Sequence, residues 1–431
     1  MNEQKRELAH PRDQIVMIME RIYGYGMTTT SGGNLSIRDG NGDIWISPAG
    51  FDKGSLMPPD VVCVHPDGSI TGIHKPSSEL PFHRAIYEAR PDVGAILHAH
   101  PAALVSFSVV RKVPDTRILP TARLICGEVG YAPYDLPGSA ALGEKIARVF
   151  GDGFNTVLLE NHGIACAGQS LLEAFQRFET LDFCARLIIE SGRIGAPHNL
   201  SDEQLSFIKG TSHLLPEFDP PVASSREREM RASMSRLIGR AYDQMLFTST
   251  EGTFSARLDP ESFLITPYGI DRKDLRAQDI VLIHRGTRER GKVPSRSVLL
   301  HEKIFARHPE VNAVLIAHPP NVMAFGVAHV KFDSRTIPES YVMLRDVPLL
   351  KFGMQYTERE KMAELIGPAT PIAIIENDCV IVTGRTLLEA YDRLEVAEFS
   401  AKAIIAARSV GPVVPISDEQ VAELKSAFGI G

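Results

Sequence analysis

The stretch Ala95-Ile96-Leu97-His98-Ala99-His100-Pro101 places two histidines, one residue apart, at the end of an apolar run. Side chains two residues apart on a β-strand point to the same face. The run therefore predicts a buried strand that directs the imidazoles of His98 and His100 toward one point. Two ligands of a metal ion require that arrangement.

The same stretch recurs once, 218 positions further on, as Ala313-Val314-Leu315-Ile316-Ala317-His318-Pro319. Other segments recur in the same order at offsets of 216 to 219 positions: Ser31–Ser36 with Thr250–Ser255, Leu158–His162 with Ile374–Asp378, and Ser201–Gln204 with Ser417–Gln420. An offset this long and this constant indicates one domain duplicated in tandem, not a short-period solenoid.

The prolines and serines between Glu217 and Ser225 predict the junction between the two copies. We expect a first domain over residues 1–215, a linker over 216–226 and a second domain over 227–431. The alternative interpretation of the junction is a surface loop within a single fold.

Hydrophobic periodicity predicts a mixed α/β protein. Helical spacing of apolar residues is found over residues 3–23, 80–90, 102–110, 138–150 and 171–193. Strand patterns are found at 35–38, 44–46, 61–64, 95–100 and 156–159, with a strand-rich region expected between 111 and 137. The Asn-Gly turn at 41–42 predicts an antiparallel hairpin near the start.

Composition excludes several classes of partner. The 431 residues, 44% of them hydrophobic, exceed a typical domain of about 150 residues and so predict at least two cores. A net charge of -7 provides no basic surface for nucleic acid, and no apolar run is long enough to cross a membrane. We expect a cytoplasmic protein whose five scattered cysteines are buried thiols.

The duplication provides an internal comparison. Positions that are the same in both copies are candidates for scaffold, and they are His83 with His301, Pro101 with Pro319, and Asn161 with Asn377. Positions that differ are candidates for chemistry, and they are Glu79 with Ser297, His98 with Ile316, His162 with Asp378, and Asn34 with Thr253. His100 keeps a counterpart in His318, but one histidine makes a poor metal site.

Three histidines of the first copy form a candidate metal site. His98 and His100 on their strand, with His162 in a distant turn, are typical of a catalytic zinc that keeps one position open for substrate. Glu79 is expected close by, where a carboxylate can move a proton. The alternative is a set of core histidines satisfied by hydrogen bonds.

Three short turns of small polar residues are candidates for anion binding. Ser31–Asn34, Ser47–Gly50 and Ser77-Ser78 each precede a strand or helix and can offer backbone N–H groups and hydroxyls to an anion. Taken singly, each is also compatible with an ordinary turn.

Together these motifs resemble the class II aldolase/adducin family, in particular its L-fuculose phosphate aldolase branch. The resemblance covers nearly the whole chain, once per repeat, and is complete only in the first. It implies a three-layer αβα fold in each copy and a degenerate second copy. It also implies that His98, His100 and His162 bind Zn²⁺, or another divalent ion such as Mn²⁺, and that Glu79 of Pro76-Ser77-Ser78-Glu79 is the catalytic acid/base.

The family's phosphate-binding positions match Gly33, Asn34, Ser47, Gly50, Ser77 and Ser78. Its epimerases carry aspartate at the position of Glu79, so the resemblance favours an aldolase. The tyrosine that a neighbouring subunit contributes in the aldolases has no match near Arg117-Ile118.

The expected function is that of a metal-dependent carbon–carbon lyase, which cleaves a small hydroxy-carbonyl, sugar-phosphate-like substrate through an enolate. One alternative is a decarboxylase of the same family acting on a hydroxy, keto or aromatic acid. Two others are an adducin-like interaction module without enzymatic activity and a metal-dependent hydrolase.

Sites of this family lie at the subunit interfaces of a four-fold ring. We therefore expect a homo-oligomer, for example a dimer whose four domains form a pseudo-four-fold ring, in which the second repeat completes the site of the first. Candidates for residues donated in this way are Arg335, Glu339, Tyr341 and Arg345. The alternative for this segment is a solvated pair of strands.

Overall fold

The computed structural model of the chain describes residues 9–207 and 215–430. In the first repeat the elements are α1 (Pro11–Gly24), β1 (Asn34–Arg38), β2 (Ile44–Ile46), β3 (Val62–Val64), β4 (Ile70–Thr71), α2 (Leu80–Ala89), β5 (Ala95–Ala99), α3 (Ala102–Val109), α4 (Pro120–Cys126), β6 (Val129–Ala132), α5 (Ala140–Gly151), β7 (Thr156–Leu159), β8 (Gly163–Gly168), α6 (Leu171–Gly192) and α7 (Asp202–Ser206).

The second repeat follows the same plan. Its elements are β9 (Glu217–Phe218), α8 (Ser225–Asp243), β10 (Thr253–Asp259), β11 (Ser262–Ile265), β12 (Val281–His284), β13 (Thr287–Glu289), α9 (Val298–Arg307), β14 (Ala313–Ala317), α10 (Pro320–Ala328), α11 (Pro338–Leu344), β15 (Leu349–Leu350), α12 (Met354–Thr357), α13 (Arg359–Leu365), β16 (Ile372–Ile375), β17 (Val380–Gly384), α14 (Leu387–Ala407) and α15 (Asp418–Phe428).

The two sheets have the same strand order. The first is β4-β3-β2-β1-β5-β8-β7-β6, and the second is β13-β12-β11-β10-β14-β17-β16-β15 with β9 added beside β13. The register agrees as well, since Asn34 faces His98 in one sheet and Thr253 faces Ile316 in the other. The mixed α/β fold and the tandem duplication are therefore confirmed.

The chain divides into two compact units. One contains the residues up to Arg117 and Thr121–Arg186, and the other contains Ile118–Pro120 and the residues from Leu187 onward. Within the proposed linker, Glu217 and Phe218 pair in parallel with β13 of the second sheet. The domain boundaries at 215 and 227 stay a prediction.

Helix α2 shows how local sequence positions the site. Pro81 occupies the first turn, where the missing N–H costs no hydrogen bond, and the helix ends at Ala89, two residues before Pro91. Phe82 and Ile86, four residues apart, are buried against the first sheet, and each contributes about 2 kcal/mol of hydrophobic stabilisation. This packing fixes Glu79, the residue that precedes the helix.

Each unit has its own apolar core. In the first, Ile46, Ile96 and Val157 of the sheet pack with Ile86 and Phe150 of the helices. In the second, the core consists of Ile265, Val314 and Ile381 with Ile304 and Met362. All five cysteines are free and buried, as expected. None of the described helices is both long and apolar enough to cross a bilayer.

The prediction of a strand-rich region between residues 111 and 137 is wrong. This region contains the 3₁₀ turn Thr116–Ile118, helix α4 and one strand, β6. Pro120 is the first residue of α4, and its fixed φ favours a helix start. The predicted helix at 3–23 is described from Pro11, and residues 1–8 lie outside the described part of the chain.

Candidate metal centre

Three histidines meet where β5 ends and β8 begins. His98 lies on β5, His100 directly follows that strand, and His162 lies in the turn that joins β7 to β8. One ring nitrogen from each lies within 4.8 Å of the other two. The Nε2 atoms of His98 and His100 are 2.9 Å apart. The structure thus brings together the three histidines singled out from the sequence.

Hydrogen bonding and burial leave these imidazoles suited to binding a cation. Nδ1 of His98 donates to the carbonyl oxygen of Ile164 at 2.9 Å, so in the neutral ring Nε2 carries the lone pair. Burial lowers the pKa of His98 well below its ordinary value, and burial also lowers the pKa of His100 and His162. The unprotonated form, which is the metal-binding form, is therefore favoured.

Glu79 faces the same point. Its Oε2 atom lies 3.3 Å from Nε2 of His98, and Oε1 lies 3.4 Å from Nε2 of His162. Asn34 donates from Nδ2 to Oε2 of Glu79 at 2.6 Å. Glu79 is 9% exposed, so a buried carboxylate stands next to the three nitrogen donors. Three imidazoles and an adjacent carboxylate match the donor preference of zinc, and these residues can hold a divalent ion.

Gly33 allows the loop before β1 to approach the histidine strand. Its φ is +72°, and a Cβ atom there would lie 2.8 Å from the carbonyl oxygen of His98. A side chain would therefore collide with backbone as well as strain the loop. Gly33 was proposed as an anion-binding position. Its packing against the histidine strand requires glycine whether or not an anion binds there.

The two serine turns are joined by their backbones. Ala49 N donates to Lys75 O at 3.0 Å, and Ser77 N donates to Ser47 O at 3.2 Å. Gly50 and Ser78 are exposed, each on one of these turns. Two of the three proposed anion-binding turns therefore lie side by side.

The buried hydroxyls of these turns act as acceptors. Ser47 Oγ accepts from Leu35 N at 3.2 Å, and Ser77 Oγ accepts from Glu79 N at 3.3 Å. Each hydroxyl therefore keeps its own hydrogen for a second partner, with Ser47 0% exposed and Ser77 7% exposed. Asn34 differs, because its amide is engaged with Glu79 and, through Oδ1, with His83 at 2.5 Å.

The segment from Arg335 to Arg345 is not a pair of strands. Residues Pro338–Leu344 form α11, so the alternative of a solvated strand pair is wrong. Glu339 is exposed, whereas Tyr341 is buried and only 4% exposed. Pro338 at the first turn favours a helix start, as Pro120 does in the first repeat.

Arg335 repeats a scaffold contact. Its guanidinium pairs with Asp333 at 2.9 Å, just as Arg117 pairs with Asp115 at 2.6 Å. Arg345 adopts φ +59° and ψ -150°, a conformation that a non-glycine residue rarely takes. Arg335 therefore makes the same kind of ion pair as its counterpart in the first repeat, and Arg345 stands out by its backbone.

In the second repeat, the positions equivalent to the metal centre hold a different set of side chains. Ile316 and Asp378 replace His98 and His162, and His318 pairs with Glu251 at 3.5 Å. Gln355 donates to Asp378, whose pKa burial raises to about 6. The only groups of three or more potential metal ligands among the described residues lie in the first repeat.

The second such group has local hydrogen-bonding partners. Nδ1 of His65 lies 2.8 Å from a carboxylate oxygen of Asp43, and Nε2 lies 2.9 Å from the hydroxyl of Thr71. Cys63 completes the group, and burial raises the pKa of its thiol to about 11. Both nitrogens of His65 are thus used in tying β3 to its neighbours.

Three residues near the centre were not predicted from the sequence. Lys53 is buried and donates from Nζ to Pro48 O at 2.9 Å, which anchors the Ser47–Gly50 turn. Ser36 and Tyr87 bind one another at 2.8 Å beneath Asn34. A basic residue, Arg272, at the position of Lys53 and the retention of Ser255 at the position of Ser36 were signals for a scaffold role, whereas Tyr87 gave no such signal.

Comparison with known proteins places both repeats in one family. The sequence profile described as "Class II Aldolase and Adducin N-terminal domain" matches residues 13–189 and again 232–405. The L-fuculose phosphate aldolase of Methanocaldococcus jannaschii is 30% identical over 178 residues, which are 41% of this chain and 95% of that protein.

Two further relatives differ in activity. The 5-deoxy-D-ribulose 1-phosphate aldolase of Bacillus thuringiensis is 32% identical over 46% of this chain and 93% of its own length. The 3-oxo-tetronate 4-phosphate decarboxylase of Escherichia coli is 30% identical over 42% of this chain and 87% of its own length. The family profile matches the chain twice, and the two matches together cover most of the residues of this chain. The chain therefore belongs to the class II aldolase and adducin family.

Proposed function

We propose that the protein is a divalent metal-dependent lyase that cleaves a carbon–carbon bond in a small phosphorylated hydroxy-ketone. The observation that carries the proposal is the convergence of His98, His100 and His162 within 4.8 Å, with Glu79 in contact with two of them. Aldolase relatives from two organisms support the reaction class.

The three histidines would hold the metal, which is Zn²⁺ or another divalent ion such as Mn²⁺. When bound, such an ion acts as a Lewis acid and contributes several kcal/mol to stabilising negative charge on substrate oxygens. The neutral state favoured by burial makes the imidazoles competent ligands without prior loss of protons.

Glu79 would move the proton. Glu79 takes the proton of the hydroxyl on the carbon β to the ketone. The bond between that carbon and the α-carbon then breaks, the hydroxyl-bearing carbon becomes an aldehyde, and the bonding pair stays on the ketone fragment as an enolate. Glu79 then returns a proton to the carbon that carries this pair. Asn34, which binds Oε2 of Glu79, leaves Oε1 as the atom available for the transfer.

The adjoining turns would bind the phosphate. Ser47 and Ser77 keep hydroxyl hydrogens free, and Gly33, Gly50 and Ser78 can offer backbone or side-chain donors from the same set of turns. Asn34 is the member of the proposed anion-binding set whose amide is already engaged.

The test is a product assay on metal-loaded protein with a panel of phosphorylated ketoses and phosphorylated 3-oxo acids. We expect aldehyde from a ketose phosphate, and a loss of about 10²- to 10⁴-fold in Glu79→Gln, because general acid/base catalysis contributes that much. Equal turnover by wild type and Glu79→Gln would contradict the role of Glu79.

Decarboxylation is the second candidate, favoured by the Escherichia coli relative. Loss of CO₂ from a 3-oxo acid leaves the same kind of enolate, and Glu79 would again supply the proton. Release of CO₂ without aldehyde would select this reaction. Absence of both products together with absence of stoichiometric metal would select an adducin-like interaction module.

We also propose a homo-oligomer in which the second repeat completes the site of the first, with Glu339, Tyr341, Arg335 and Arg345 as candidate donors. Light scattering should give a mass of at least two chains, and Tyr341→Phe should lower turnover. Monomeric mass, or unchanged turnover and oligomer size in Tyr341→Phe and Arg335→Ala, would reject this arrangement.

A further inference from the structure

A hydrogen-bond network of buried side chains connects helix α2 to Glu79. Nδ2 of Asn34 donates to Oε2 of Glu79 at 2.6 Å, and Oδ1 of Asn34 lies 2.5 Å from Nε2 of His83. Nδ1 of His83 lies 2.7 Å from Oγ of Ser36, which lies 2.8 Å from the hydroxyl of Tyr87. All five residues are at most 9% exposed.

With Glu79 ionised and the other four groups neutral, one arrangement of hydrogens satisfies every link. Since Asn34 donates to the carboxylate of Glu79, its Oδ1 faces His83 and must accept, so Nε2 of His83 carries the proton. Nδ1 then accepts from the hydroxyl of Ser36, which in turn accepts from Tyr87. Burial lowers the pKa of His83 to about 3, so the ring is neutral.

The second repeat keeps only the central serine–histidine pair of this network. Oγ of Ser255 lies 2.6 Å from Nδ1 of His301, which repeats the pair of Ser36 and His83. Nε2 of His301 has no hydrogen-bond partner among the described residues. Thr253 stands at the position of Asn34 and binds Ser295 at 2.7 Å instead.

The residues at both ends of the network are different in that repeat. Phe305 stands at the position of Tyr87, and Ser297 stands at the position of Glu79. The serine–histidine pair alone is therefore sufficient for the scaffold. The asparagine and the tyrosine hydroxyl are present only in the copy that has the glutamate.

We propose that His83 is a positioning residue, which orients Glu79 through Asn34 and is itself held in one tautomer by Ser36 and Tyr87. This inference rests on the proposed role of Glu79. The physical reason is that the two ends of an amide have nearly the same shape but opposite hydrogen-bonding character. The N–H of His83 decides which end faces Glu79, because a reversed Asn34 would direct Oδ1 at the carboxylate.

The informative variants are Asn34→Thr and Tyr87→Phe. His83→Ala would open a cavity in the core, whereas Thr and Phe already occupy the equivalent positions of the second repeat, as Thr253 and Phe305. Ser255→Ala is the matched control, because it removes the hydroxyl that binds His301 in the repeat without the glutamate.

Three measurements are made on the full-length, metal-loaded protein: kcat and KM separately, metal content, and ¹⁵N NMR of the histidine rings. We expect Asn34→Thr to lower kcat about 10- to 100-fold, the range typical of residues behind a ligand or catalytic group, with metal content unchanged. Tyr87→Phe should lower kcat severalfold with little change in KM. Ser255→Ala should leave kcat unchanged.

NMR tests the mechanism independently of turnover. In the wild type, the His83 ring should be protonated at Nε2 and bare at Nδ1, and Tyr87→Phe should shift it toward a mixture of tautomers. A wild-type ring protonated at Nδ1, or ring signals unchanged in both variants, would overturn the proposal even if no substrate were turned over.

The kinetic outcomes separate the two proposals. Wild-type kcat in Asn34→Thr and Tyr87→Phe, with Glu79→Gln inactive, would reject the positioning role and leave the lyase standing. Wild-type kcat in Glu79→Gln would reject the role of Glu79 and with it the positioning role.

Discussion

The Nε2 atoms of His98 and His100 lie 2.9 Å apart, and the proton of His98 is held on the opposite nitrogen by the carbonyl of Ile164. The lone pair of His98 is thus directed at the second histidine. A shared cation stabilises such a pair better than a single hydrogen bond does, since it can accept both lone pairs.

We predict that His98→Ala and His162→Ala each lose stoichiometric divalent metal, as measured by elemental analysis after gel filtration. His318→Ala, in the second repeat, is the control and should bind as much metal as the wild type, because its site lacks the other two histidines. Full metal content in His98→Ala would show that the cation lies elsewhere.

Gly33→Ala should destabilise the protein by more than about 2 kcal/mol, because a left-handed φ costs an L-residue about 1–2 kcal/mol and the new methyl group would also meet the carbonyl of His98. Gly50→Ala is the matched control. Its φ is +60°, but a Cβ there meets nothing within 4 Å, so only the backbone cost of about 1 kcal/mol remains.

Urea unfolding of both variants measures this difference. Equal losses in the free energy of unfolding of Gly33→Ala and Gly50→Ala would show that the contact between the new methyl group and the histidine strand is relieved at no cost. Metal content should fall in Gly33→Ala alone, since only that substitution displaces the carbonyl of His98.

Asp378 should make stability depend on pH. Burial raises its pKa to about 6, above the value of about 3.9 for an unfolded aspartate. The native state therefore binds more protons between these values, and the stabilisation that Asp378 gives is complete below about pH 4 and is lost as the pH rises through 6.

Asp378→Asn cannot ionise, so its free energy of unfolding relative to wild type should rise between pH 4 and pH 7, by at most roughly 3 kcal/mol. Asp92→Asn should show the opposite slope at lower pH, between about pH 2 and pH 4, because pairing with Arg90 lowers the pKa of Asp92 to about 2. Urea titrations from about pH 2 to pH 7 test both signs. A pH-independent difference for Asp378→Asn would contradict the shift.

Arg345→Gly should raise the free energy of unfolding by about 1 kcal/mol. The strained backbone costs an arginine about 1–3 kcal/mol, and part of the relief is offset by the greater freedom of glycine in the unfolded chain. Gly127, at the equivalent position, has φ +65° and shows what the fold prefers there.

Gly127→Arg is the reciprocal variant and should lose stability. If Arg345→Gly raises the free energy of unfolding but lowers turnover, the strained arginine acts in the active site. That result would support the proposal that Arg345 is donated to the site of the first repeat. Arg345 also lines a cleft of about 390 Å³ in the second repeat, and that cleft should tolerate the glycine. No gain in stability would show that Arg345 is not strained.

Much of the fold and the ligand set could be predicted because the relevant signals are local or repeated. His98 and His100 lie on one short run, and strand alternation alone gives them a common direction. The duplication was visible as a constant offset, and the shared strand order confirms it. His162 was identified because its counterpart, Asp378, differs while the neighbouring Asn377 does not.

The remaining features depend on contacts between distant residues. Ser36 and Tyr87 are 51 positions apart, and nothing in either local pattern indicates that their hydroxyls meet. Asn34 was predicted to bind an anion because it lies in a polar turn. The register of β1 against β5, which no local pattern indicates, also places it beside Glu79. The region after α3 was predicted to be rich in strands, but Pro120 starts a helix there.

His301 is evidence for the order of events in the history of this chain. A buried imidazole with one nitrogen that makes no hydrogen bond is costly. A scaffold that had never contained a partner for that nitrogen would have had no reason to acquire the imidazole. We infer that the ancestral repeat paired this nitrogen with a side chain at the position of Asn34, and that the second repeat has since lost that partner.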